Sequence, residues 1–112
     1  MKDYYDPCFY GTETYWKMPY FGEFAYTDSV KSFCTKYEAY WTLDVIASYY
    51  KEFKKYSFLV ITFDVANSSC IFNAREDTGK KPVRTQNIEY TDLTVSIKLY
   101  LTNNVLMFPS DY

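Results

Sequence analysis

The sequence lacks histidine altogether, and this absence excludes several kinds of chemistry. The 112 residues contain no His, three Cys and three Gly. Without His the chain cannot form a Ser-His-Asp triad, a Cys-His pair or a His-ligated metal site. The glycines are isolated, at Gly11, Gly22 and Gly79, so there is no Gly-rich loop of the kind that binds phosphate.

The three cysteines are too widely spaced to form a Cys-x-x-Cys motif. They are Cys8, Cys34 and Cys70, and this spacing excludes a zinc ribbon or a dithiol redox site. We expect three reduced thiols that pack as small hydrophobic side chains. The alternative is a nucleophilic Cys34, which would need a base other than His. No cofactor and no metal are expected.

Charge of one sign and long apolar runs are also missing. Twelve Lys and Arg against fourteen Asp and Glu give a net charge of −2, so there is no basic excess for binding duplex nucleic acid. The chain is not acidic enough to imitate a phosphate backbone either. No apolar run approaches the roughly 20 residues of a membrane span, and the first residues have no signal-peptide pattern. We therefore expect a soluble protein in the cytoplasm, with a protein or a small molecule as its partner.

Aromatic residues are abundant: they make up 22% of the chain, with 14 Tyr. Residues 1–26 form an arm that holds ten of them: Tyr4, Tyr5, Phe9, Tyr10, Tyr15, Trp16, Tyr20, Phe21, Phe24 and Tyr26. The arm is predicted to be extended or turn-rich, with one or two short strands. It either packs over the domain as part of the core or forms an exposed contact surface.

Residues 27–55 have helical periodicity. Thr27 is a candidate N-cap, and Val30, Phe33, Cys34 and Tyr37 follow at helical spacing on one apolar face. A second helix is predicted from Tyr40 to about Phe53, with two apolar stripes that indicate deeper burial.

Residues 56–112 have strand patterns. Strands are predicted at residues 57–65, 69–75, 84–90, 94–101 and 105–108, with turns at residues 66–68 and 103–104. The expected fold is α+β in a single domain, residues 1–112, in which two helices pack on one face of a four- to five-stranded antiparallel sheet.

An ordered series of motifs resembles a family. It includes Tyr26-Thr27-Asp28, Ala39-Tyr40-Trp41, Ile88-x-Tyr90-Thr91-Asp92 and Pro109-Ser110-x-Tyr112. The series resembles a small domain family of unknown function that is associated with bacterial, plasmid and phage genomes. The sequence departs from the expected pattern at Ser29, where Gly is expected, and in the lysine-rich segment 51–55. The resemblance implies no transferable activity.

The function expected from these observations is protein binding without catalysis. The resemblance to a family of mobile elements suggests an inhibitor of a host defence system, similar to an anti-CRISPR protein, whose partner is a host nuclease or effector complex. Direct binding to nucleic acid or a membrane is not expected. The candidate contact residues, chosen for aromatic density, are Tyr15, Trp16, Tyr20, Phe21 and Tyr49.

Three alternatives stay open. A sponge for a nucleotide signal would draw its charge from Lys51, Lys54, Lys55, Lys80, Lys81 and Arg84. A structural homodimer would cover an exposed aromatic patch. An enzyme would need a polar site, for which Asp28, Asp44 and Asp92 are the candidate carboxylates, with Tyr26 and Tyr90 as proton donors.

Overall fold

The computed structural model describes residues 4, 15–17, 24–77 and 79–111. The helices are α1 (Asp28–Tyr37), α2 (Trp41–Ser48) and α3 (Tyr50–Phe53). The strands are β1 (Tyr15–Lys17), β2 (Ala25–Thr27), β3 (Phe58–Ala66), β4 (Ser69–Arg75), β5 (Arg84–Ile88), β6 (Ile97–Thr102) and β7 (Val105–Met107). A 3₁₀ turn, Pro109–Asp111, follows β7.

All seven strands of the described residues belong to one sheet, in the order β1-β2-β7-β6-β3-β4-β5. Five of the six neighbouring pairs are antiparallel, and β2 with β7 is parallel. The α+β class with antiparallel pairing is thus as expected. The expected four to five strands and wholly antiparallel pairing are wrong, because the N-terminal arm adds β1 and β2 and joins the sheet through a parallel contact.

Helix α1 begins and ends close to its predicted limits. Thr27 has the extended backbone of an N-cap, but its side chain makes no capping hydrogen bond to the helix; its hydroxyl pairs with that of Ser29 at 3.1 Å. At the other end Glu38 adopts the left-handed conformation (φ 53°), and the backbone N–H of Ala39 donates to the carbonyl of Cys34 at 2.9 Å. This left-handed residue turns the chain sharply from α1 toward α2.

The second predicted helix is broken into α2 and α3 at Tyr49. The backbone of Tyr49 departs from helical geometry, with φ −108° and ψ 4°. Its ring lies nearly parallel to that of Phe72, with centroids 5.8 Å apart, and its hydroxyl donates to Gln86 Oε1 at 2.7 Å. These contacts to the sheet lie at the break in the helix. The apolar periodicity of residues 40–53 cannot indicate them, because the partner residues lie in β4 and β5.

The core lies between the helices and one face of the sheet. Alternate residues of the central strands point toward the helices, including Leu59, Ile61, Phe63, Phe72, Ala74, Ile97 and Leu99, and all are buried. Phe72 is central, because its ring contacts those of Tyr49, Phe53 and Phe63. This core holds α2 and α3 firmly against β3, β4 and β5.

Among the described residues, no helix combines the length and the apolar character needed to cross a membrane.

Candidate functional site

The segment between β5 and β6 presents a prominent aromatic side chain. We call residues 90–93 the Tyr90 loop. The backbone N–H of Thr91 donates to the carbonyl of Ser68 at 2.8 Å, and that of Leu93 donates to the Thr91 hydroxyl at 3.0 Å. Thr91 and Leu93 are buried, whereas Asp92 is exposed and Tyr90 is 73% exposed. The inward residues thus anchor the loop, and the outward residues are presented from a fixed backbone.

A cavity of about 260 Å³ lies on one side of this loop. We call it the Tyr90 cavity; it is lined by Tyr37, Glu38, Trp41, Ile88, Tyr90, Thr91, Asp92 and Leu93. The end of α1 supplies the first two residues, the start of α2 supplies Trp41, and β5 with the Tyr90 loop supplies the rest. The Trp41 ring is held edge-on against Phe63, with centroids 5.8 Å apart, so the wall of the cavity is fixed to the core.

A second cavity, of about 440 Å³, lies on the other side of the loop. It shares the four loop residues and is closed by the turn between β3 and β4. Asn67 and Ser68 in that turn have positive φ values of 52° and 65°, the geometry of a tight hairpin. The Tyr90 loop is therefore a ridge between two depressions.

The electrostatics of the Tyr90 cavity are acidic. The Tyr90 hydroxyl donates to Asp92 Oδ1 at 2.9 Å, and this hydrogen bond to a carboxylate raises the pKa of Tyr90 above its usual value. Glu38 and Asp92 are both exposed, and neither forms a salt bridge within the described residues. Among the described residues that line the cavity there is no Lys or Arg. Its polar chemistry is that of two carboxylates and a neutral phenol donor.

The predicted polar site is not a single cluster. Asp28 lies in the first turn of α1 and accepts a hydrogen bond from Trp16 Nε1 at 2.8 Å. Asp92 lies beside the other end of α1, which is ten residues or about 15 Å away. Asp44 is exposed on α2 and lines neither of these two cavities. The expectation that these three carboxylates form one set is corrected accordingly.

The two tyrosines proposed as proton donors are likewise separated. Tyr90 is exposed beside Asp92, whereas Tyr26 is buried in β2, two residues before the start of α1. Burial, foremost, raises the pKa of Tyr26. The two phenols therefore do not share a site.

The predicted aromatic contact surface is divided as well. Trp16 lies on β1, where it is 39% exposed and has Lys31 Nζ 4.5 Å from its ring centroid. Tyr49 stacks on Phe72 of β4, five strand spacings or roughly 24 Å along the sheet from β1. Tyr15 is described only as a backbone residue of β1, and Tyr20 and Phe21 lie outside the described residues. Trp16 and Tyr49 thus do not belong to one surface.

Sequence reasoning did not single out the Tyr90 cavity as a site, although its motifs were visible. Trp41 belongs to the Ala39-Tyr40-Trp41 motif, and Ile88, Tyr90 and Asp92 belong to the later motif. Both motifs contribute to the same cavity. Both motifs belong to the series that resembles the family, and this was the signal available in the sequence. That they line one cavity depends on how α1 and α2 pack on the sheet, which the sequence pattern does not show.

The described cysteines are structural. Cys34 and Cys70 are free and buried, and burial raises the pKa of the Cys34 thiol to about 12. A thiol with this pKa is almost wholly protonated at neutral pH, which argues against the nucleophilic alternative for Cys34. Among the described residues, no group of three or more Cys, Asp or Glu is arranged to hold a metal ion.

Fold and site together define a small α+β chain with one sheet, helices on one face and an acidic, aromatic cavity at the end of β5. The chain belongs to DUF6876, a family of unknown function whose sequence profile matches residues 7–112. This match confirms the resemblance to a small family of unknown function. No curated protein and no solved structure matched the chain.

Proposed function

We propose that this protein is a non-enzymatic protein-binding module whose contact surface is centred on the Tyr90 loop. The observation that carries the proposal is the presentation of Tyr90, which is 73% exposed on a loop anchored by the hydrogen bond from Thr91 to Ser68 and by the burial of Leu93. Tyrosine provides a large contact area with few rotamers to order, and anchored aromatic side chains are typical of binding hot spots.

The shape around Tyr90 supports a protein partner. Depressions of about 260 and 440 Å³ flank the loop, so that a partner can place side chains on both sides of the Tyr90 ridge. Because Thr91 and Leu93 fix the loop, little ordering is required on binding, and less of the interaction energy is lost.

The proposed role is inhibition of a host defence system, by occupying a surface of a host nuclease or effector complex in the bacterial cytoplasm. This part of the proposal rests on the family resemblance and on charge. A surface that handles nucleic acid is basic, and the exposed carboxylates Glu38 and Asp92 are complementary to it. Nothing in this role requires catalysis, and the separation of Asp28, Asp44 and Asp92 is in keeping with that.

The nucleotide-sponge alternative has less support from the described cavities. Of its six candidate cations, none lines either cavity beside the Tyr90 loop, and only Lys54 lines a further cavity, of about 220 Å³, bordered by α3 and the turn at residues 103–104. Arg84 is paired with Glu52, and Lys80 lies 4.0 Å from Glu76. A phosphate ligand would have to compete with these carboxylates.

The experiment is an affinity capture from lysates of bacteria that carry active defence systems, with mass spectrometry, in the presence and absence of nuclease. The variants are Tyr90→Ala and, as a matched control, Tyr40→Ala. Tyr40 is also exposed, at 40%, and its hydroxyl also forms a hydrogen bond with a neighbouring side chain, Thr35, but it lines neither cavity beside the Tyr90 loop. We expect one protein to be captured with and without nuclease, at least tenfold less by Tyr90→Ala and equally by Tyr40→Ala.

Three results would contradict the proposal. Capture that disappears after nuclease treatment would mean that nucleic acid provides the link. Capture that is equal with Tyr90→Ala and the parent would place the contact surface elsewhere. If only a second copy of this chain is recovered, the protein is a homodimer, and measurement of its mass in solution would show this directly.

A further inference from the structure

We infer that the Tyr90 cavity receives the guanidinium group of an arginine side chain of the partner protein. The inference rests on the proposed function, because it specifies the partner's chemistry at the same surface. It is argued from the rings and carboxylates that line the cavity, and from a matching arrangement elsewhere in the chain.

The first argument is the aromatic lining. Three rings border the cavity, those of Tyr37, Trp41 and Tyr90. Aromatic faces attract cations, and a guanidinium group also stacks on them because it is planar. Lys36 Nζ lies 5.5 Å from the Tyr37 ring centroid, whereas no cation of the described residues is placed over Trp41 or Tyr90. Two of the three rings are therefore available to a cation from outside.

The second argument is charge. Glu38 and Asp92 line the cavity, are exposed, and have no salt bridge within the described part of the chain. Because the described lining residues include no Lys or Arg, a guanidinium group entering the cavity finds two carboxylates that no lining residue pairs with in a salt bridge.

The third argument is an arrangement that the chain builds for itself at the opposite end of β5. There the Arg84 guanidinium lies over the Tyr49 ring, 5.1 Å from its centroid, and is paired with Glu52. Ring, arginine and carboxylate together make a complete cation site. The Tyr90 cavity contains the ring and the carboxylate of the same arrangement but lacks the arginine. We infer that the partner supplies it.

The conformation of Glu38 is consistent with this assignment. Its φ of 53° at the end of α1 is a conformation that favours Gly, and a side chain there is held at some cost in stability. A carboxylate at the C-terminal end of a helix is also unfavourable to the helix dipole, so neither its backbone nor its charge stabilises α1, and a cationic ligand at the cavity would give it a function.

The test is a titration of the ¹⁵N-labelled full chain with N-acetyl-arginine methylamide, followed by NMR. The matched probe is N-acetyl-citrulline methylamide, which has nearly the same shape and no charge. We expect the arginine probe alone to shift the Trp41 indole signal and the amides of residues 88–93. We also expect its affinity to fall about threefold in Asp92→Asn, the size expected for a solvent-exposed ion pair. Asp44→Asn, a change at an exposed carboxylate of α2 outside the cavity, should leave the affinity unchanged.

The outcomes separate this inference from the proposed function. Equal shifts from the arginine and citrulline probes would overturn the arginine assignment, and so would equal weakening by Asp44→Asn and Asp92→Asn. Neither result would contradict the proposed function, which is tested by whether capture of a partner protein depends on Tyr90. If the arginine probe binds but no partner protein is captured, the proposed function fails, and with it the assignment of the arginine to a partner protein.

Discussion

Both ends of β5 have aromatic rings and carboxylates nearby, but only at one end are the carboxylates paired with cations of the described residues. At the Arg84 end, cations and carboxylates are paired within the chain: Arg84 with Glu52 and Lys80 with Glu76. At the Ile88 end, Glu38 and Asp92 form no salt bridge within the described residues. Charge at the first end is thus paired within the fold, whereas charge at the second end is available to a partner.

The largest change in stability that we predict comes from a substitution in the core that supports both ends of β5. Phe72→Ala removes the ring that contacts Tyr49, Phe53 and Phe63, so the free energy of unfolding should fall by about 3–5 kcal/mol. The control is Ile71→Ala, on the same strand but 44% exposed, which should cost about 1 kcal/mol or less. Urea denaturation of the two variants measures both losses. A similar loss for each would mean that Phe72 does not occupy the core as described.

Substituting one glutamate at each end of β5 should change stability by a smaller amount, and in opposite directions. Glu38→Gly replaces a left-handed glutamate by the residue that favours this conformation, so stability should rise by about 0.5–1 kcal/mol. Glu52→Gln deprives Arg84 of its charged partner and should lower the melting temperature by a few degrees. Thermal unfolding at low salt measures both changes, and high salt should reduce only the second.

The contrast between the two ends of β5 would be contradicted if Glu38→Gly and Glu52→Gln changed stability in the same direction. Glu38→Gln is the further control, because it keeps the left-handed side chain and removes only the charge. It should leave stability close to that of the parent, since Glu38 has no salt bridge within the described residues.

The smallest predicted effect is a change in the pKa of Tyr90, at the Ile88 end of β5. The hydrogen bond to the Asp92 carboxylate raises the pKa of Tyr90, which favours the neutral phenol in the folded state. That contribution to stability is present below the usual tyrosine pKa of 10.0 and is lost as the pH rises through the raised value. Asp92→Asn should lower the Tyr90 pKa toward 10.0, and Asp44→Asn should not change it. NMR titration of ring-labelled tyrosine measures the shift; an unchanged value in Asp92→Asn would show that the carboxylate is not the cause.

Local pattern was sufficient to predict much of the fold. The spacing of Val30, Phe33, Cys34 and Tyr37 predicted α1. Alternation at residues 57–65 and 94–101, together with the turn signals, predicted five strands after residue 56 to within a few residues. These elements are determined by the periodicity of neighbouring side chains. The break at Tyr49 and the parallel joining of β2 to β7 were not predictable in this way, because each depends on residues distant in sequence.

The candidate site was less predictable than the fold for the same reason. Aromatic density drew attention to residues 15–21 and Tyr49, yet Trp16 and Tyr49 lie near opposite edges of the sheet. The cavity instead joins residues 37–41 to residues 88–93. No local periodicity indicates that two segments about fifty residues apart share a wall.

The parallel pairing of β2 with β7 has a consequence for how the chain is made and folds. It joins residues 25–26 to residues 105–106, so the segment between them must be synthesised before the pair can form. Closing so long a loop costs entropy before any contact compensates for it, and such pairings slow folding. Until then the hairpin of β6 and β7 has an open edge that can pair with another chain. We expect this closure to be the late step of folding, and the newly made protein to be most prone to aggregation just before it occurs.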